Sequence, residues 1–547
     1  MSILVFLLSV TLLSSQKYDL DQLHIGKRGG NYRVWIYFED KPNSKPIILD
    51  QKTILRREKS KKTTRATWFD LNVSKTYIDH LNMLGFQVLN QSRWLNAVTL
   101  ICNKDDIELL STLEFVKKIV PVNLMKKKRI EENNLAGLSR TFIYGNSNDQ
   151  MEQINAIDAQ SMGFYGQGVR ILYIDTGFDL SHEAFDSLQV VGQYDFINDD
   201  QITSNENEEE EQNNQDEHGS LCLSVLSGFK EGELIGPAFK SEFLLAKTEI
   251  VDQEIEQEED NYVAALEWGE GSGADIACAS LGYIDWYNYQ DLDGNTSPTT
   301  IAVDIASSLG VLCVNSAGNS GDDSWYYIMA PADADSVLSI GSVTSEGVLS
   351  SFSSHGPTYD GRIKPEVCAR GSSTYCIRPG TNSEYRYASG TSLSAPLAAG
   401  AAAIVLSANP SWNAMNVREA IMKTASMSEL PNNDYGYGIL NTVEALEYDF
   451  NLLIDKSNFS PEKYTLEVFP NPFNPSLNIR LSDLTGQVVN VDIFSMNGRF
   501  ITSLIQNRII KTSSTIDWTP ANQSSGIYFL RINVNGRLKY QKVTFIK

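Results

Sequence analysis

Apolar and polar positions change rhythm twice along this chain, and each change marks a different kind of fold. Tyr32 to Phe38 alternates like a half-buried strand, and a basic loop follows from Lys41 to Arg65. Next come an amphipathic helix around Thr76 to Leu84, strands near Phe86 to Leu89 and Ala97 to Ile101, a helix from Asp105 to Leu113, and a strand near Val116 to Val122. This β-α-β-β-α-β succession predicts a ferredoxin-like α+β domain over residues 16–130. From 147 to 447 buried-type strands such as Val169 to Ile174 alternate with helical patterns, which predicts an α/β domain with a doubly wound, mostly parallel sheet and helices on both faces. Tyr448 to Lys463 loses periodicity and reads as a linker. Residues 464–547 then carry short alternating strands, Leu477 to Leu481, Val488 to Phe494, Ile527 to Val534 and Lys542 to Ile546, with Asn-Gly turns at 497 and 535; these predict a small β-sandwich.

Charge sharpens the division. The 547 residues carry a net charge of −23, yet residues 16–130 hold 22 Lys+Arg against 12 Asp+Glu, leaving 23 against 56 for the remainder. A basic front domain and an acidic body are either two separately solvated surfaces or partners that bind each other. An acidic body gives no footing for nucleic acid. Met1 to Ser15 contains an apolar run, Ile3 to Leu13, too short to span a bilayer, and reads as a signal peptide without the usual basic start. No other stretch reads as a membrane span. The six cysteines are too scattered for a disulfide scaffold or a metal motif; Cys368 and Cys376, flanking a Gly-Ser-Ser turn, are the pair a disulfide would join, and Cys278 and Cys313 read as buried thiols.

Candidate chemistry sits at three element ends. Ser389-Gly390-Thr391-Ser392 is a small-residue turn running into the Ala-rich stretch Leu397 to Leu406, so Ser392 starts a buried helix. Unpaired N–H groups there favour an oxyanion, although such a serine serves equally as a simple N-cap. A weak alcohol needs a base, and the base an orienting group. His218 opens Glu217-His218-Gly219-Ser220 ahead of an apolar helical pattern, and Asp175 begins Asp175-Thr176-Gly177 at the carboxyl end of a strand, the sheet edge where ligands bind. The order is Asp, His, Ser.

That order, with Gly390-Thr391-Ser392 followed by Pro396, and with Ala279 to Gly282, Asn315 to Asn319, Ser351 to Pro357, Ile363 to Glu366 and Tyr437 to Asn441, resembles the subtilisin-like serine peptidases over roughly residues 147–446. The resemblance implies a secreted serine endopeptidase in which Ser392 is the nucleophile, His218 the base, Asp175 its orienting acid and Asn319 a side-chain oxyanion donor. It implies protein or peptide substrates lying extended along Ser280, Leu281 and Gly282, with Ser316, Ala317 and Gly318 lining the floor of the pocket before the cut. Met329 falls where many members carry glycine. His-Gly-Ser stands where the family usually has His-Gly-Thr. No cofactor is implied for catalysis; structural Ca2+ is the alternative to plain solvation for the acidic runs Asp199 to Glu217 and Glu249 to Asp260, with no ligands assignable. The front domain is similar to inhibitory prodomains removed by self-cleavage, here between Lys126 and Asn148. Cys222, four residues after His218, is either a thiol beside the imidazole, as in some subtilases, or a small buried residue.

The tail opens on Pro470-Asn471-Pro472-Phe473-Asn474-Pro475 and contains Gly526-Ile527-Tyr528 and a terminal Lys-Val-Thr-Phe-Ile-Lys, which resemble the sorting domains of type IX secretion substrates. This implies the type IX machinery as partner and release or surface attachment outside a Gram-negative outer membrane; a carbohydrate-binding sandwich is the alternative. From a different class, an inactive subtilase fold displayed as an adhesin would have the same architecture.

Overall fold

The computed structural model describes residues 17–18, 27–28, 31–60, 66–122, 142–251, 257–284, 287–449 and, with short breaks, most of 465–547. The signal-peptide stretch, most of the expected cleavage region, most of the linker and both Asn-Gly turns of the tail lie outside the described residues. The chain forms two compact units, residues 1–448 and 449–547.

The front domain contains β1 (Asn31–Phe38), α1 (Gln51–Lys59), α2 (Lys75–Met83), β2 (Val88–Ser92), β3 (Ala97–Cys102), α3 (Lys104–Thr112) and β4 (Val116–Pro121). All pairs are antiparallel in the order β4-β1-β3-β2, with the short strand Lys27–Arg28 pairing against the first two residues of β1, the ferredoxin-like layout. The basic stretch from Lys41 to Arg65 is not simply a loop. It holds α1, whose Asp50 accepts the Lys52 N–H as N-cap and whose last turn is basic.

The central sheet uses β5 (Arg170–Asp175), β6 (Gln189–Asp195), β7 (Glu242–Lys247), β8 (Ile276–Ala279), β9 (Leu312–Ser316), β10 (Leu338–Val343) and β11 (Val367–Arg370). Every pairing is parallel, in the order β11-β10-β9-β8-β5-β7-β6. Helices α4 (Glu217–Ser227), α5 (Gln257–Gly271), α6 (Pro298–Ser308) and α7 (Thr391–Ala408) cover it. Successive side chains of a strand point to opposite faces, so Ile171 and Tyr173 join α4 and α7 in one core while Leu172 and Ile174 join α5 and α6 in the other. Helix α7 is long and apolar enough to cross a membrane, contrary to the expectation of no further such stretch, but 89% of it is buried inside the protein. The acidic run before His218 contains a short helix, Glu208–Asn213, with Asn207 capping its N-terminus.

The six cysteines are buried and none forms a disulfide, so Cys368 and Cys376 are not bridged. Cys368 lies on β11 with its thiol directed at the Tyr435 carbonyl, 3.6 Å away, whereas Cys376 points to the Arg386 carbonyl at 3.5 Å. The turn between them sends the two side chains to different partners.

The second unit has two antiparallel sheets. Thr465–Phe469, Leu477–Ser482 and Ser513–Trp518 form one; Phe500–Ile510, Gln487–Ser495, Gly526–Val534 and Arg537–Phe545 form the other. Their inner faces share a core with Phe473, Leu477, Val491, Leu530 and Val543.

Candidate active site

Asp175, Ser280, Asn319 and Ser392 come from four elements that end or begin on the carboxyl edge of the sheet. Asp175 closes β5 and is fully buried. His218, in the first turn of α4, faces it with Nδ1 2.6 Å from Asp175 Oδ1. Gly219 permits that approach: a Cβ there would stand 2.1 Å from the Gly177 carbonyl oxygen. The Ser220 hydroxyl of His-Gly-Ser donates to the Asp216 carbonyl at 2.6 Å and accepts the Asp179 N–H at 2.7 Å.

Ser392 is the second residue of α7, where no intrahelical acceptor exists for its N–H. Four residues on, Pro396 lacks the N–H that would bond the Ser392 carbonyl. Ser280 Oγ takes that place, donating to Ser392 O at 2.9 Å and lying 3.0 Å from the Tyr173 hydroxyl. Ser392 Oγ in turn donates to the Ser280 carbonyl at 3.2 Å. Thus the proline of the motif detaches one carbonyl from the helix and lets the residue after the neighbouring strand hold the Ser392 backbone. Sequence reading assigned Ser280 to substrate and missed this second role; the i, i+4 spacing of Ser392 and Pro396 was the available signal.

Asn319 accepts both the Thr391 N–H (2.8 Å) and the Thr391 hydroxyl (2.9 Å) through Oδ1. With its oxygen so engaged, the Nδ2 amide turns toward Gly390 beside Ser392, where a Cβ on Gly390 would lie 3.6 Å from Nδ2. Thr391, not singled out from sequence, therefore sets the amide orientation an oxyanion donor needs.

Leu281 follows β8 with its carbonyl held by Asn315 Nδ2 at 2.8 Å and Ser316 Oγ at 3.3 Å. Gly282, partly exposed, makes no backbone hydrogen bond to another described residue. The Met329 side chain lies between Gly282 and Gly318: a Cβ on Gly282 would meet Met329 Cβ at 2.9 Å and Sδ at 3.1 Å, and one on Gly318 would meet Cγ at 2.8 Å and Sδ at 3.0 Å. Its N–H bonds the Ala317 carbonyl at 3.1 Å, which anchors it to the expected pocket floor.

Cys222 Sγ is 3.9 Å from His218 Nε2, and the residue is fully buried. Burial, then the nearby Asp175 charge, raises its pKa well above that of an ordinary thiol. Both earlier readings are therefore true at once: the sulfur adjoins the imidazole and is a packed, protonated core group.

The acidic runs do not offer a calcium cage among the described residues. Asp195, Glu206 and Glu210 converge, but on the buried Lys247 ammonium at 2.8, 3.8 and 2.9 Å. Burial penalises that ammonium, yet bonds to Asp195 and Glu210 outweigh it and raise its pKa. In the other run, Glu258 accepts the Ile250 N–H, Glu249 the Tyr283 hydroxyl, Glu259 the Tyr287 hydroxyl, and Asp260 the Arg33 guanidinium. Protein donors hold these carboxylates where Ca2+ would need them open.

A model of the subtilase family matches residues 166–438. Subtilisin DY of Bacillus licheniformis is 30% identical over 299 residues, covering 54% of this chain and 96% of that protein. The chain belongs to the subtilase family. Subtilisin E of Bacillus subtilis is 29% identical over 322 residues (58% of this chain, 75% of the relative), and the thermostable alkaline protease of Halalkalibacterium halodurans 28% over 324 (58% and 78%). Residues 33–135 match a Peptidase S8 propeptide domain of Bacteroidota, and residues 467–547 a secretion system C-terminal sorting domain. This subtilase is a self-maturing serine endopeptidase, delivered to the cell surface or the medium of a Gram-negative cell. The inactive-adhesin alternative finds no support.

Proposed function

We propose that Asp175, His218, Ser392 and Asn319 carry out the hydrolysis. Ser392 Oγ attacks the scissile carbonyl carbon while His218 Nε2 takes its proton; the carbonyl electron pair moves to oxygen, which the Ser392 N–H and Asn319 Nδ2 receive. Collapse breaks the C–N bond, and the proton on His218 goes to the leaving amine. Water, deprotonated in the same way, then releases the acyl group and regenerates the Ser392 hydroxyl. The short Asp175–His218 contact, together with a serine at a helix N-terminus that bonds Ser280 at the end of the neighbouring strand, is the observation that carries this assignment. Asp175 holds the imidazole tautomer and stabilises its cation.

Substrate lies extended against Ser280, Leu281 and Gly282, pairing with the Gly282 backbone. Met329 fills the floor formed by Ser316, Ala317 and Gly318, so medium apolar residues are preferred before the cut over Phe or Tyr. The prodomain remains as an inhibitor after cleavage between Lys126 and Asn148, and the tail engages the type IX machinery. A serine-directed fluorophosphonate should label the wild-type enzyme at Ser392, and the Ser392→Ala precursor should remain uncut. Labelling elsewhere, or full processing of that variant with no other protease present, would refute the assignment.

A further inference from the structure

Helix α1 of the prodomain lies far from the triad. It crosses the amino-terminal edge of the central sheet, touching Gly168 ahead of β5, Glu242 at the start of β7 and Ala274 ahead of β8. The catalytic groups sit at the other edge, about 17 Å away along β5 at ~3.3 Å per residue.

The surface beneath α1 is shaped for it. Helices α5 and α6 each end just before a glycine in left-handed conformation, Gly273 (φ +86°) and Gly310 (φ +99°). A Cβ on Gly273 would meet Asp50 Oδ1 and Lys52 Cβ, both at 2.8 Å; one on Gly310 would meet Ser60 Oγ at 2.7 Å and Arg56 Cγ at 3.3 Å. One bare helix end thus receives each end of α1. Between them, the buried Arg56 donates to the carbonyls of Glu270 (3.3 Å), Leu309 (3.4 Å) and Ala274 and to the Glu270 carboxylate. A cation on the carbonyl ends of two helices is favourably placed. Arg57, also buried, grips Asp70 of its own domain at 2.8 and 2.9 Å and Glu270 at 3.0 and 3.1 Å. Thr53 Oγ1 donates to Glu270 O at 2.8 Å.

We propose that α1 is a latch: the groove at the carboxyl ends of α5 and α6 is an exosite for an arginine-bearing helix, and its occupant is this enzyme's own cleaved prodomain. The exosite holds the prodomain independently of the active-site cleft, so peptide-bond cleavage does not by itself release activity. Latency ends when α1 leaves. This builds on the reading of the prodomain as an inhibitor.

The test uses the full-length chain carrying Arg56→Ala, because every side-chain bond of Arg56 named here goes to the catalytic domain. After self-cleavage at low salt, co-elution of prodomain with catalytic domain is followed by gel filtration, and the delay between cleavage and activity by a peptide substrate. Truncating one partner of a buried, hydrogen-bonded charge pair acts on the off-rate, so release should be on the order of 10²- to 10³-fold faster, with the final kcat/KM unchanged. Glu270→Gln should act likewise, and the double variant should cost little more than either single one. Unchanged co-elution and delay, or fully additive effects, would overturn the latch. A wild-type chain with no delay would remove the inhibitor reading, leaving co-elution to judge the exosite. If Arg56→Ala is never cleaved, near-UV circular dichroism of Arg56→Ala in the Ser392→Ala background decides: loss of tertiary signal rescued by Arg56→Lys supports a latch acting already in folding, and a fully folded chain overturns it.

Discussion

Met329→Gly should let this enzyme accept large aromatics before the cut, where the wild type should prefer medium apolar residues. The Met329 side chain occupies the space between Gly282 and Gly318, with Sδ at 3.1 and 3.0 Å from where a Cβ on either glycine would stand. Removing four heavy atoms opens room that a Phe side chain can use. At about 0.8 kcal/mol per buried methylene-sized group, filling that room is worth about 3 kcal/mol, or roughly 10²-fold in relative kcat/KM. The assay compares matched peptides with Leu or Phe before the cut in wild type and variant, with active sites titrated by fluorophosphonate so that misfolded enzyme does not count. The Phe:Leu ratio should lie below one in wild type and rise on the order of 10²-fold in the variant. A ratio that stays within about threefold, or a wild type that already prefers Phe or Tyr, would show that Met329 does not bound the pocket and refute the reasoning.

Asn319→Ala should lower kcat roughly 10²- to 10³-fold with little change in KM, as loss of this kind of donor does in subtilisin itself; an equal loss through KM alone would place Asn319 in ground-state binding. Prodomain inhibition should weaken as salt rises, because dissociation separates Arg33, Arg56 and Arg93 from Asp260, Glu270 and Glu267; an inhibition constant that ignores salt would mark the contact as apolar. Cys222 should resist iodoacetamide at a pH where an exposed thiol reacts readily, since burial and then the Asp175 charge raise its pKa and disfavour the thiolate. A mercurial that reaches it should abolish activity in wild type and spare Cys222→Ala, and equal loss in both would clear Cys222.

Much of this protein was legible in the sequence, because its signals are local. Period-two and period-3.6 patterns depend on neighbours a few residues apart, and they located the ferredoxin-like front, the alternating α/β body and several tail strands. The positions proposed for catalysis stood out for a related reason: Asp175, His218 and Ser392 each sit in a short motif whose glycines and proline serve backbone needs at that very spot. What pattern could not reach were groups whose meaning lies in a partner distant in sequence. The stretch from Lys41 to Arg65 reads as a solvated basic loop until α5 and α6 supply the carbonyls and the Glu270 carboxylate that bury Arg56 and Arg57. The acidic run before His218 reads as a solvated loop, with calcium as the alternative, until Lys247, on a strand neighbouring β6, brings an ammonium to it. Cys368 and Cys376 are near in sequence, yet the turn between them sends their thiols to different carbonyls. Charge and sulfur take their roles from whatever lies within about 4 Å, since Coulomb and hydrogen-bond energies in a dry interior depend on distance and geometry rather than chain order. Tertiary structure alone decided those pairings, because parallel strands and their crossovers bring together residues that the chain holds tens to hundreds of positions apart.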